Sequence, residues 1–235
     1  MDLVWLAAAA VVSATITGAM GVGGGLVLIV LMAQFVPPIV LIPLHAFVML
    51  MSNTGRAWIQ RKHVRWAYVW PFLAGSVVGV VLMAPLVRFM PTTGGQLLLG
   101  LFVIGMTWRP QWFRLQAWLP ALSGALTSAL TMVLGATGPL VMSVLPKANW
   151  PKREIVGTHG MVMTFQHGLK AAAFWWMGFD PIDWGSTLLA MGAGSVVGNV
   201  LGARLLGRIP EANFKRALDW LLTLLALRLI AQALV

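Results

Sequence analysis

The sequence predicts an all-α integral membrane protein made of two inverted-topology repeats, each a broken, re-entrant first segment followed by three transmembrane helices. Three observations carry that expectation. Of 235 residues, 59% are hydrophobic and only 9% charged, with a mean hydropathy of +0.86, so a water-soluble fold could not hide its apolar side chains. A glycine cluster, Gly18-Ala-Met-Gly-Val-Gly-Gly-Gly25, interrupts the first apolar stretch, and a second break, Gly135-Ala-Thr-Gly-Pro139, interrupts a later one 117 residues on. Finally, the basic loops change faces between the two halves of the chain. At about 20 residues per span the apolar segments fill nearly the whole length, which leaves a single membrane domain over residues 1–235 and no room for a soluble catalytic or nucleic-acid-binding domain.

Eight apolar segments follow one another. Residues 4–36 would make a helix of about 50 Å at ~1.5 Å per residue, too long for a ~30 Å hydrocarbon core, so the glycines divide this segment into two half-length pieces. Residues 39–59, 67–87 and 96–107 supply three crossings. The segment at 117–146 is again overlong and is broken at Gly135; 155–177, 184–206 and 217–234 supply three more. The N-terminal Met1-Asp2-Leu3 lacks the basic region of a cleavable signal, so the first segment is expected to stay.

Duplication extends beyond the glycines. Ala74-Gly-Ser-Val-Val-Gly79 recurs as Ala193-Gly-Ser-Val-Val-Gly198, an offset of 119, and at the same offset Val81, Leu82, Ala84, Leu86 and Pro91 match Val200, Leu201, Ala203, Leu205 and Pro210. Upstream, an offset of 114 sets His45 against His159, Asn53 against His167 and Arg56 against Lys170. Repeat one is therefore residues 3–108, the linker 109–116 and repeat two 117–235.

Loop charge relates the repeats. Arg61, Lys62 and Arg65 crowd the loop after the second segment, whereas its counterpart at 178–183 carries Asp180 and Asp183 and no Lys or Arg. The next loops reverse: Arg88 stands alone in one, and Arg204, Arg208, Lys215 and Arg216 crowd the other. The positive-inside rule places these equivalent loops on opposite faces. Re-entrant first segments satisfy that rule, putting the linker and the Lys147/Lys152/Arg153 loop inside and both termini outside. The net charge of +10 then reads as topology rather than nucleic-acid affinity. Twelve tryptophans, most near segment ends, fit an interfacial belt.

Inverted repeats with discontinuous helices are a secondary-transporter plan whose site lies where the repeats meet. A helix that begins inside the membrane presents unpaired amides and a positive dipole end, so the amides of Gly21, Gly23, Gly24, Gly25, Thr137 and Gly138 are candidates for holding an anion. The alternative is close helix packing, the reading that suits Gly75, Gly79, Gly194 and Gly198. His45, Met49, Ser52/Asn53 and Arg56 share one helical face, and His159, Met163, Gln166/His167 and Lys170 repeat it. Buried ionisable groups are costly and normally face protein or a polar cavity, so His45, Asn53, Arg56, His159, Gln166, His167 and Lys170 complete the candidate site. Arg56 and Lys170 could instead snorkel to the interface. The histidines look like hydrogen-bond donors or proton carriers rather than a metal site, because no acidic ligand accompanies them. With few acids and bases and no His-Glu-x-x-His pattern, no enzyme, metal or cofactor is expected. Zero cysteines exclude disulfides.

Gly21-Val-Gly-Gly-Gly25, Gly135-Ala-Thr-Gly-Pro139, the duplicated Ala-Gly-Ser-Val-Val-Gly and Lys152-Arg153 resemble the sulfite exporter TauE/SafE family of permeases over nearly the whole chain. One departure is that Leu26-Val-Leu-Ile-Val follows the first motif where the family commonly has a proline-containing run. The resemblance implies transport of small anions, above all sulfite and organosulfonates, across the bacterial inner membrane, with export the expected direction. The sequence leaves room for proton coupling and for a homo-oligomer, and the competing expectations are an anion channel and a non-transporting membrane scaffold.

Overall fold

The computed structural model describes residues 3–113, 119–146, 150–205 and 211–234, and every regular element among them is helical. The N-terminal half supplies α1 (Leu3–Met20), α2 (Gly24–Met32), α3 (Pro38–Ile59), α4 (Trp66–Arg88) and α5 (Thr92–Trp108). The C-terminal half supplies α6 (Pro120–Leu134), α7 (Gly138–Val144), α8 (Lys152–Trp176), α9 (Gly185–Leu205) and α10 (Glu211–Leu234). Helices α1, α3, α4 and α9 are long and apolar enough to cross a membrane, and α5 and α6 are shorter apolar helices. Proline opens α3 and α6, where the missing N–H would have no intrahelical partner anyway.

Both breaks fall within the glycine motifs, but the pieces they separate are unequal. The first segment divides into 18 and 9 residues rather than two half-length pieces, and its counterpart into 15 and 7. At the two breaks the chain turns where glycine takes positive φ, at Gly21 (φ 82°) and Gly23 (φ 105°) and again at Gly135 (φ 74°). Gly18, by contrast, stays helical and lies against α9, where an added Cβ would stand 3.0 Å from Gly202 Cα. The counterpart of Gly135 is thus Gly21, at the offset of 114 shared by the histidines, and not Gly18 at 117. Helix α5 also begins at Thr92, four residues before the predicted start at 96, because the pair Gly94-Gly95 is carried inside it and Pro91 sets its boundary.

Packing couples the two halves. Helix α1 lies along α9 and α4 along α6, while α3 packs on α8 and α5 on α10. Exchanging the halves, α1 for α6, α3 for α8, α4 for α9 and α5 for α10, leaves that set of pairs unchanged. Small residues make the long contacts. A Cβ on Gly75 or Gly79 would run into the carbonyl oxygens of Ala121 and Ala125, and one on Gly198 into that of Val11, so these glycines serve backbone-to-backbone packing. Helix α2 is apolar all round and accordingly sits inside the bundle, with Val27, Ile29 and Val30 fully buried among Leu44, Val48 and Leu229.

Most exposed tryptophans lie near helix ends, with Trp66 and Trp70 stacked at 5.5 Å, whereas Trp220 lies mid-helix in α10. Trp150 is different, meeting Tyr68 edge to face at 5.5 Å inside the fold. Trp118, the end of the linker from Arg114 onward, Lys147 and Arg208 lie outside the described residues, as do the side chains of Lys152 and Lys215.

Candidate functional site

Helices α3 and α8 carry the two polar stripes and present them to the two breaks. His45 Nε2 lies 3.0 Å from the carbonyl oxygen of Gly25, and His159 Nε2 lies 3.1 Å from that of Gly138. Each histidine can therefore donate to the first turn of a short helix. The rings of His45 and His167 meet edge to face at 5.8 Å.

The cations occupy matching positions. Arg56 Nη1 donates to the carbonyl of Gly21 at 3.1 Å and Nη2 to Asn53 Oδ1 at 2.6 Å, while Lys170 Nζ donates to the carbonyl of Gly135 at 2.6 Å. Gly21 N–H in turn donates to Thr17 O and Gly135 N–H to Thr131 O. Both glycines thus end a helix, α1 or α6, and their carbonyls meet a cation at the helix's negative pole. The Gly21 amide is consequently not the free anion donor the sequence suggested, because it closes the last turn of α1. Nor do the cations snorkel to the interface: Arg56 is 8% and Lys170 0% exposed. Among the described residues neither has a carboxylate partner.

At the positive poles, the amides of Gly24 and Gly25 are the first of α2 and lack intrahelical acceptors. Gly24 is pressed onto α1, accepting a hydrogen bond from Ser13 Oγ at 2.7 Å, and an added Cβ would collide with Ser13 O and Thr17 Oγ1. Gly23 and Gly25 line a small cavity of about 20 Å³. From the facing elements Asn53, Arg56, Gly138, His159 and His167 complete its polar wall.

The remaining predicted residues stand one layer back. Gly21, Gly24, His45 and Lys170 act through the breaks as described. Thr137 Oγ1 and Gln166 Oε1 lie 3.1 Å apart, and Gln166 Nε2 donates to Thr127 Oγ1 at 3.1 Å and Ser128 Oγ at 3.0 Å. This fully buried net holds the second break. Sequence reading missed its hydroxyls, together with Ser13, Thr17 and Thr131. A signal existed: Ser13 and Thr17 stand 114 residues before Thr127 and Thr131. The buried Nδ1 atoms of His45 and His167 and Nε of Arg56 have no partner among the described residues.

Access differs at the two ends of the bundle. Where α3 and α9 begin and α4 ends, a chamber of about 520 Å³ is lined by Arg88, Asp180, Trp184, Met132 and Ile42, and Ile42 touches the second break at Gly135. At the other end Arg65 Nε meets Glu154 Oε2 at 2.6 Å, and the Arg65 N–H donates to Thr158 Oγ1 at 2.9 Å. There Tyr68 O–H donates to the Val144 carbonyl at 3.2 Å. These contacts tie the loop after α3 to α8 and the start of α4 to α7. Arg56, a buried cation with neutral partners among the described residues, lines the small cavity beside the N-terminus of α2, and Lys170 stands one layer behind it, an arrangement suited to an anion.

Comparison with known proteins agrees with that chemistry. The model of the family described as sulfite exporter TauE/SafE matches residues 6–229. A probable inner membrane transporter protein, TsaS, of Comamonas testosteroni is 28% identical over 171 residues, covering 68% of this chain and 70% of that relative. No solved structure matches.

Proposed function

The chain belongs to the sulfite exporter TauE/SafE family of membrane transporters, and from that premise we propose that it is a secondary carrier exporting sulfite or small organosulfonates across the bacterial inner membrane. The observation that carries the reading is the pair Arg56 and Lys170. Both are buried and, among the described residues, bonded only to neutral groups, and a charge left without a counterion inside a protein is expensive. An anion in the cavity supplies that counterion to Arg56, which lines it, and offsets the charge of Lys170 one layer behind.

Residues 3–108 and 117–235 act in this reading as inverted repeats, a relation supported by the exchange-invariant helix pairs and by the reversed loop charges. The substrate oxygens are held by the amides at Gly23, Gly25 and Gly138, by Asn53, His159 and His167, and by Arg56, with Gly24 packed on α1 behind them. Gly21, His45, Thr137, Gln166 and Lys170 position the breaks behind them. A cavity of about 20 Å³ exceeds the ~10–15 Å³ that one water needs but not the size of a sulfonate, so loading requires the wall to move. That favours a carrier over a channel. Rocking of one repeat against the other would close the 520 Å³ chamber and open the Arg65–Glu154 end. Membrane potential drives anion exit by about 2.3 kcal/mol per charge per 100 mV, and His45 with His167 could carry coupled protons.

An uptake screen in proteoliposomes across sulfite, sulfoacetate, taurine, sulfate and simple carboxylates, with and without a pH gradient, tests the reading. Saturable flux of the sulfur oxyanions is expected; flux of none of them would refute it.

A further inference from the structure

Two methionines repeat with the site. Met49 and Met163 stand one turn beyond His45 and His159 at the shared offset of 114, are 5% and 3% exposed, and both line the small cavity. Each thioether methyl lies over the start of a short helix: Met49 Cε is 3.3 Å from the position a Cβ on Gly25 would take, and Met163 Cε is 3.9 Å from that on Gly138. Val22 Cγ2 reaches the same Gly138 position at 3.9 Å, and Leu26 and Pro139 continue the apolar wall.

The cavity therefore has two chemistries. Arg56, Asn53 and His167 offer hydrogen-bonding groups and charge, whereas the thioether and aliphatic wall offers neither. An inorganic oxyanion with oxygens on every side would leave some of them desolvated and unpaired against that wall, which is unfavourable. An anion carrying a single apolar substituent matches both walls. Methionine has three rotatable bonds and a polarizable tip, so it can yield volume to a guest where a branched side chain could not.

We propose that Met49 and Met163 are specificity-determining residues, an adaptable wall that receives the carbon substituent of an organosulfonate and sets the chain length the carrier accepts. This rests on the cavity being the transport site. The test compares kcat/KM for methanesulfonate with that for butanesulfonate in proteoliposomes, using the wild type, Met49→Ala, Met163→Ala, Met49→Leu, Met163→Leu and the control Met51→Ala. Met51 lies on the same helix but touches α9 at Gly192.

Truncation to alanine should shift the ratio toward butanesulfonate by about tenfold or more, the scale on which apolar pockets discriminate single methylenes. The leucine variants, near in volume but stiffer, should shift it the other way, and Met51→Ala should keep the wild-type ratio. If the alanine variants fail to fold, the leucine variants still decide. Wild-type flux with the same ratio in every folded variant overturns the proposal alone. Wild-type liposomes that transport neither sulfonates nor sulfite overturn the carrier reading and this proposal with it.

Discussion

Lys170 concentrates the residue-scale argument, because its ammonium is fully buried and rests on the Gly135 carbonyl and the Thr131 hydroxyl. Replacing it with methionine leaves that carbonyl short of a donor, at about 1–3 kcal/mol. The same change relieves a desolvated charge whose penalty is several kcal/mol. The second effect is larger, so Lys170→Met should leave the thermal midpoint of the purified protein unchanged or raised; a marked fall would show that the cation is structural. Gly135→Ala has the opposite expectation. It forces a side chain into the left-handed region, about 1–2 kcal/mol, and drives the Cβ into Ile29, so the midpoint should fall. The polar stripes were legible from helical spacing, but their partners were not. A lone serine or threonine in an apolar helix can simply bond its own backbone, as Thr15 does with Val11, so nothing at Ser13 or Thr127 alone distinguished a brace for the break from an ordinary helix hydroxyl.

Element by element, the glycines divide into two roles that composition cannot separate. Gly21, Gly23 and Gly135 hold positive φ, whereas Gly18, Gly75, Gly79, Gly194 and Gly198 bring helices to backbone contact. The sequence therefore located both breaks yet set Gly135 against Gly18, three residues out of register, because a helical glycine and a turning one look alike on paper. Gly198→Val should overpack the α1–α9 seam and cost about 1–3 kcal/mol or more, read as lost folded yield or a lower midpoint; wild-type yield and midpoint would show that the helices need not approach so closely. At the closed end, the Arg65–Glu154 pair is partly exposed, with side-chain accessibilities of 48% and 26%. Such a pair adds little stability, but it spans the two halves and must part if that end opens. The chain has no cysteine, so an Arg65→Cys/Glu154→Cys variant can be bridged with a short bismaleimide reagent without background. Bridging should stop flux that the unbridged variant retains; continued flux after complete bridging would show that this end does not open.

For the whole molecule, the all-helical, multi-pass character followed directly from hydropathy, and the family from the glycine motifs. What stayed hidden was depth. Linear sequence does not say that α2, apolar all round, is wrapped by protein, nor that Arg56 and Lys170 end beneath the surface rather than snorkelling to the interface. Those placements depend on which helices pair across the halves, and four cross-half seams, two of them built on small residues, settle that only in three dimensions. The consequence is a site in which each half contributes one break, one histidine on that break and one cation behind it. Counterflow of labelled sulfite in proteoliposomes, comparing the wild type with Arg56→Met and Lys170→Met, addresses the central claim most directly. Saturable wild-type counterflow, reduced about 100-fold or more in each folded variant as expected for loss of a buried charge contact, is the predicted result. Wild-type rates in both variants would contradict it.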